Sequence, residues 1–382
     1  EQELLHEHGE KWLPSGIGGN PCAFRRGFVE EITLTPEEFL TSASWFFGQT
    51  PIRELCLRQR KQSHADSDRS DSPVVRLAQS PLLARLDGLD LQFPVGRYAA
   101  QALIESPHLE GLRRLRLSGN LDGNPLVIWG TVPRGPRLRH LDLSNCLRIS
   151  SAVLRTLVEM PHLAQLTHLN LAQTSLTLDD LRYLVHSPRL ASLRVLNLNG
   201  NRLTHKAVSV LAEGTILSSL ERLWLEANLL GDAGAIALLE WPALPRLTSL
   251  SLAQNQIFAS GMKAVAESPA LRELVSLNLS RNVSCDEGVV ALAFSSWTRL
   301  QGLNLWFNGI GDKGIRALAS SEGLSQLTRL NLTANSITNS GARRLIEASG
   351  LPRLSRLDLL RNDIGEAEQQ RLRDRFGPFV YC

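Results

Sequence analysis

The chain has 382 residues, with 41 Lys and Arg against 38 Asp and Glu and a formal net charge of +3. That near-balance excludes the basic excess of a dedicated nucleic-acid binder. With 43% hydrophobic and 21% charged residues the composition is globular, and five scattered cysteines give no disulfide framework or zinc signature.

The start, Glu1-Gln2-Glu3-Leu4-Leu5, has no initiator Met and no basic or apolar leader, and reads as a trimmed chain. Residues 1–28, with Trp12, Leu13, Phe24 and Phe28, are expected to form an N-terminal cap. Thr35-Pro36-Glu37-Glu38 is a capping box with Pro at the first helical position, predicting a helix through about Phe47. Ile52-x-x-Leu55-x-Leu57 and Leu86-x-x-Leu89-x-Leu91 predict strands. Between them, residues 58–72 are polar and aperiodic, and read as a mobile surface loop. No apolar run reaches the ~18–20 residues a membrane span needs.

From Leu112 the pattern L-x-x-L-x-L-x-x-N recurs every 26 to 28 residues, beginning at Leu112, Leu138, Leu166, Leu193, Leu220, Leu247, Leu274, Leu300, Leu327 and Leu354. The chain holds 72 Leu, and these fixed intervals explain the excess. This is a leucine-rich repeat. The paired leucines point inward from a short strand while their neighbours face outward. Three residues later stands Asn120, Cys146, Thr174, Asn201, Asn228, Asn255, Asn282, Asn308, Asn335 or Asn362. A buried amide there satisfies turn backbone that would otherwise cost free energy. A helix follows, with Asp232, Asp286, Asp312 and Asn339 as N-cap candidates and Gly234, Gly261, Gly288, Gly314 and Gly341 nearby. Pro107, Pro161, Pro188, Pro242 and Pro269 stop helices. Gly and Pro in residues 121–136 predict irregular chain in place of one helix.

The fold class is therefore α/β: a leucine-rich repeat solenoid of about 13 turns over residues 29–375. Parallel strands are expected on the concave face of a horseshoe, helices on the convex face, and residues 376–382 as a C-terminal cap.

The 27-residue unit with its N-x-x-x-[D/N]-x-G turn resembles the ribonuclease-inhibitor-like class of leucine-rich repeats. HEHGEKWL (6–13), RRGFVEEITL (25–34), PIRELCLR (51–58) and RLRDRFGPFVY (371–381) resemble bacterial, planctomycete-type proteins that carry a repeat-companion domain before such repeats; that domain is absent here. The resemblance implies cytoplasmic protein recognition and supplies no catalytic residues.

Outward-facing residues of the strands are the expected binding surface. Trp224 and Trp306 stand among small and polar neighbours, with Arg222 and Glu226 beside them, and exposed Trp is a frequent interface anchor. Arg114, Arg116, His140 and His168 gather on three successive strands and are expected to attract carboxylates or phosphates on a partner, beside the plainer reading of a solvated face. The Asn column at 170, 197, 278, 304 and 331 reads as routine strand filling. His140, Asp142 and Ser144 alternate on one strand, but i and i+2 lie about 6.5–7 Å apart, too far for linked triad partners. The chain is thus read as a non-catalytic monomer with no cofactor or metal, binding a protein rather than nucleic acid or membrane. The alternative is a regulator of a partner enzyme such as a nuclease or GTPase.

Overall fold

The computed structural model describes residues 22–25, 28–59, 70–93, 95–117, 135–146, 149, 151–242, 244 and 246–382. Much of the expected N-terminal cap, residues 60–69 of the polar loop, and residues 118–134 of the Gly- and Pro-rich repeat lie outside them.

The chain divides into two units. The first comprises residues 1–175 with 187–193. Its strands are β1 (Cys22–Arg25), β2 (Phe28–Leu34), β3 (Glu54–Leu57), β4 (Gly88–Leu91), β5 (Arg114–Arg116), β6 (His140–Asp142) and β7 (His168–Asn170). From β2 to β7 each pairs in parallel with the next. β1 is the departure from the expected parallel pattern, because it runs antiparallel to β2. No earlier repeat strand pairs with β2 among the described residues, and a returning hairpin strand covers its hydrogen-bonding edge.

The second unit comprises residues 176–186 with 194–382. It carries β8 (Val195–Asn197), β9 (Arg222–Trp224), β10 (Ser249–Ser251), β11 (Ser276–Asn278), β12 (Gly302–Asn304), β13 (Arg329–Asn331), β14 (Arg356–Asp358) and β15 (Val380–Tyr381). Each pairs in parallel with the next; residues 26 or 27 apart stand side by side from β8 to β14, and 23 apart between β14 and β15. Repeat strands β2–β7 in the first unit and β8–β14 in the second make the thirteen turns expected. Both units are runs of strand–helix repeats, which is the leucine-rich repeat solenoid.

The helix Pro36–Gln49 forms where the capping box places it: Glu38 accepts the Thr35 amide at 2.8 Å, and Thr35 Oγ1 accepts the Glu38 amide at 3.2 Å. The repeat leucines fill the core; Leu220, Leu223 and Leu225 are fully buried, as are their counterparts Leu274, Leu277 and Leu279. Burying a Leu side chain contributes about 1.5–3 kcal/mol.

The asparagines bond adjacent repeats as well as their own turn. Asn282 Oδ1 accepts from the amides of Asn255 and Ile257 at 3.0 and 3.1 Å. Its Nδ2 donates to the carbonyls of Leu252 and Leu279 at 3.0 and 2.9 Å. Asn228, Asn335 and Asn362 bond in the same way. Cys146 substitutes by donating from Sγ to Leu117 O at 3.1 Å, and Thr174 donates to Leu171 O at 2.7 Å.

The N-cap assignment is corrected. Asp232, Asp286, Asp312 and Asn339 lie inside their helices or at the first helical position, and each side chain reaches the next repeat's helix instead. Asp232 Oδ1 accepts from the amides of Phe258 and Gly261, and Asp286 Oδ1 from those of Gly311 and Gly314 at 2.7 and 2.9 Å. Asp312 and Asn339 serve Thr338 and Gly365. A carboxylate at those free amides is favoured by hydrogen bonding and by the helix dipole. The recurring glycine belongs to this device, since a Cβ at Gly314 would stand 2.8 Å from Asp286 Oδ1.

Candidate partner-binding strand faces

On the first unit, register sets Glu31, Glu54, Gly88, Arg114, His140 and His168 in one outward column. Thr33, Cys56, Asp90, Arg116, Asp142 and Asn170 form the next. The charges of Arg114 and Arg116 are answered within the chain. Arg114 Nη2 crosses Gly88 to reach Glu54 Oε1 at 2.8 Å, and a Cβ at Gly88 would stand 3.3 Å from Arg114 Nε. Arg116 bridges Asp142 at 3.0 Å and Asp90 at 3.5 Å. The Cys56 thiol, beside Asp90, is pushed up to about 11 by burial and by that carboxylate, so it stays protonated at neutral pH.

The rings of His140 and His168 lie 4.0 Å apart. Burial first, then His168, Arg114 and Arg139, lower the His140 pKa from 6.5 to about 4. His140 is therefore neutral at pH 7. Its folded pKa lies below its unfolded value, so between about 6.5 and 4 the unfolded chain binds more protons and stability falls as pH falls. His140→Gln is expected to flatten the urea-midpoint profile across that window relative to wild type; an unchanged slope would exclude His140 as the source.

His140, Asp142 and Ser144 do not assemble a triad. Asp142 Oδ1 accepts the Ser144 amide at 2.9 Å, and Arg116 holds Oδ2.

On the second unit the middle column runs Asn197, Trp224, Ser251, Asn278, Asn304, Asn331, Asp358 and Tyr381. Its asparagines have a local task that the sequence reading missed. Oδ1 of Asn197, Asn278, Asn304 and Asn331 accepts the amide two residues on, at 2.9 to 3.1 Å, as the chain leaves the strand. Trp224 cannot do this. The Glu226 amide is bonded instead by Asn199 Oδ1 of the preceding repeat, at 2.7 Å.

Trp224 and Trp306 are half-buried rather than fully exposed. Ser251, Ala253 and Ser280 face the same way by register yet are buried, so larger neighbours cover them. Glu226 reaches over this floor, accepting from Ser251 Oγ at 2.7 Å and Asn278 Nδ2 at 3.3 Å. Arg281 lies over the Trp306 ring at 5.3 Å, a cation–π contact. Arg222 is exposed, and so is Arg329, which stands four strands along in the column of Arg222, Ser249, Ser276 and Gly302. The signal for Arg329 was the isolated glycine beside it, Gly302.

Among the described residues no group of three or more His, Cys, Asp or Glu is arranged to hold a metal ion, and no helix is long and apolar enough to cross a membrane.

The class that these repeats define is the leucine-rich repeat. Two family models described as leucine-rich repeats match the chain, one at residues 300–319 and 324–345 and the other at 192–213. No curated protein matches the chain in a sequence comparison. Similar solved structures include an internalin (inlF) from Listeria monocytogenes, 22% identical with TM-score 0.41, covering 69% of this chain and 78% of that one. The yeast Rad7 and Elc1 complex gives 21% identity and TM-score 0.48 over 85% of this chain and 83% of that one. A TLR13–ssRNA13 complex gives 18% and 0.48 over 87% and 43%.

Proposed function

We propose that the chain is a non-catalytic protein-recognition scaffold whose partner sits on the strand face of β9–β13. The observation that carries this reading is Trp224. It replaces an asparagine that closes the strand in four other repeats of the second unit, the lost hydrogen bond comes from Asn199, and the indole stays partly accessible. Core packing gives no reason to prefer a Trp at an outward position, whereas aromatic anchoring of a partner does. Trp306, Arg222 and Glu226 complete the contact set. Arg114, Arg116, His140 and His168 are a second, weaker surface, because desolvating ion pairs already made inside the chain returns little net affinity.

The test is affinity capture with wild type and with a Trp224→Ala/Trp306→Ala variant, both verified as folded by circular dichroism. A specific partner is expected to bind the variant at least ~30-fold more weakly, the equivalent of about 2 kcal/mol. Equal retention by both proteins would remove these tryptophans from the interface.

A further inference from the structure

The two units contain the same arginine arrangement with one difference. On β3–β5, Arg114 lies across Gly88 and ends on the Glu54 carboxylate at 2.8 Å. On β11–β13 the register is the same: Arg329, Gly302 and Ser276 stand side by side. Arg329 again lies across the glycine. A Cβ at Gly302 would stand 3.2 Å from Arg329 Nη2 and 3.6 Å from Ser276 Oγ. Where the first unit supplies a carboxylate, the second supplies a hydroxyl.

Arg329 has no carboxylate partner among the described residues. The outward acids of the second unit's strand face are engaged elsewhere, Glu226 by Ser251 and Asn278, and Asp358 by Arg356 at 3.3 Å. Arg222 stands in the same column on β9, with Ser249, Ser276 and Gly302 between it and Arg329. Four strand spacings separate the two backbones by ~19 Å, and Arg329 leans from its end of that span across Gly302. Trp224 and the Arg281–Trp306 pair lie alongside.

We infer that the partner presents an acidic peptide segment, with one carboxylate seated on Arg329 as Glu54 is on Arg114 and a second near Arg222. This rests on the proposed strand-face reading and names the chemistry of its ligand. A carboxylate is favoured over a phosphate because the chain's own completed copy of the arrangement uses one. Guanidinium–carboxylate pairs are charge-assisted and among the stronger hydrogen bonds.

The probe is a fluorescein-labelled random copolymer of Glu and Tyr, titrated with the full chain and read by fluorescence anisotropy at fixed salt. Arg329→Ala is expected to weaken binding about tenfold or more. Arg329→Lys should fall between, keeping the charge without the fork. Ser276→Glu should lose as much as Arg329→Ala, because it installs the carboxylate that Glu54 supplies in the other unit. Arg316→Ala, on the helix Asp312–Ala319, is the control and should bind as wild type does.

The inference is overturned if wild type does not bind the copolymer, if Arg329→Ala binds like wild type, or if Arg316→Ala loses as much. It is also overturned if a single-stranded oligothymidylate of equal charge displaces the copolymer more readily than unlabelled copolymer does, since the site would then prefer phosphate. A captured partner lost from the double tryptophan variant but retained by Arg329→Ala would keep the scaffold reading while removing this inference. Retention by both would remove both.

Discussion

Asn282→Ala is expected to destabilise the second unit by about 4 kcal/mol, read as a lower urea midpoint in far-ultraviolet circular dichroism. The side chain is buried and makes four backbone bonds of 2.9 to 3.1 Å: to Asn255 and Ile257 amides and to Leu252 and Leu279 carbonyls. Alanine removes every partner at once and leaves those groups without water. Each orphaned group costs about 1–3 kcal/mol, and the sum is less than additive because the turns relax. Two repeats are affected by one truncation, which separates this site from an ordinary surface asparagine. Thr174→Ala should cost less, since the hydroxyl at the equivalent place has one hydrogen to donate where the amide has two. A loss below about 1 kcal/mol for Asn282→Ala would mean that the asparagine ladder does not hold the repeats together.

Gly314→Ala is the second large effect, at about 2–3 kcal/mol. The added methyl would stand 2.8 Å from Asp286 Oδ1 and 2.9 Å from Ile310 Cγ2. It displaces the carboxylate from the amides of Gly311 and Gly314, so overpacking and a lost helix cap act together. Asp286→Ala alone is expected to cost about 1 kcal/mol. In the double variant the glycine penalty should shrink, because the group it collides with is gone. Additive losses in that cycle would show that the glycine is kept for another reason.

What the sequence made legible follows from the period of the repeat. Fixed intervals between leucines decide strand register, and register decides which residues share a face. The columns containing Trp224, Trp306 and Arg222 could therefore be written down before any coordinates. The direction in which a long side chain leans could not. Arg114 and Glu54 are 60 residues apart and meet only because Gly88 lies between them. Asp286 was attributed to the nearest helix in sequence, whereas the stack brings the next helix start within reach of its carboxylate. The turn before each asparagine, or before its substitute Thr174, was also hidden. Gln173, Ala227, Gln254, Arg281, Phe307, Ala334 and Arg361 all have φ between 53° and 60°, a left-handed conformation in which no consistent glycine marks the place. The tryptophans read as protruding because their neighbours are small, yet small neighbours are what allow part of each side chain to be buried.

The most direct measurement is hydroxyl-radical footprinting of the full chain, alone and with a captured partner, read at individual tryptophans. Binding across β9–β13 predicts that oxidation of Trp224 and Trp306 falls together when the partner is added. Trp45, exposed on the helix Pro36–Gln49, should react equally in both states. Unchanged oxidation of Trp224 and Trp306, with protection appearing on the helices instead, would contradict recognition on the strand face.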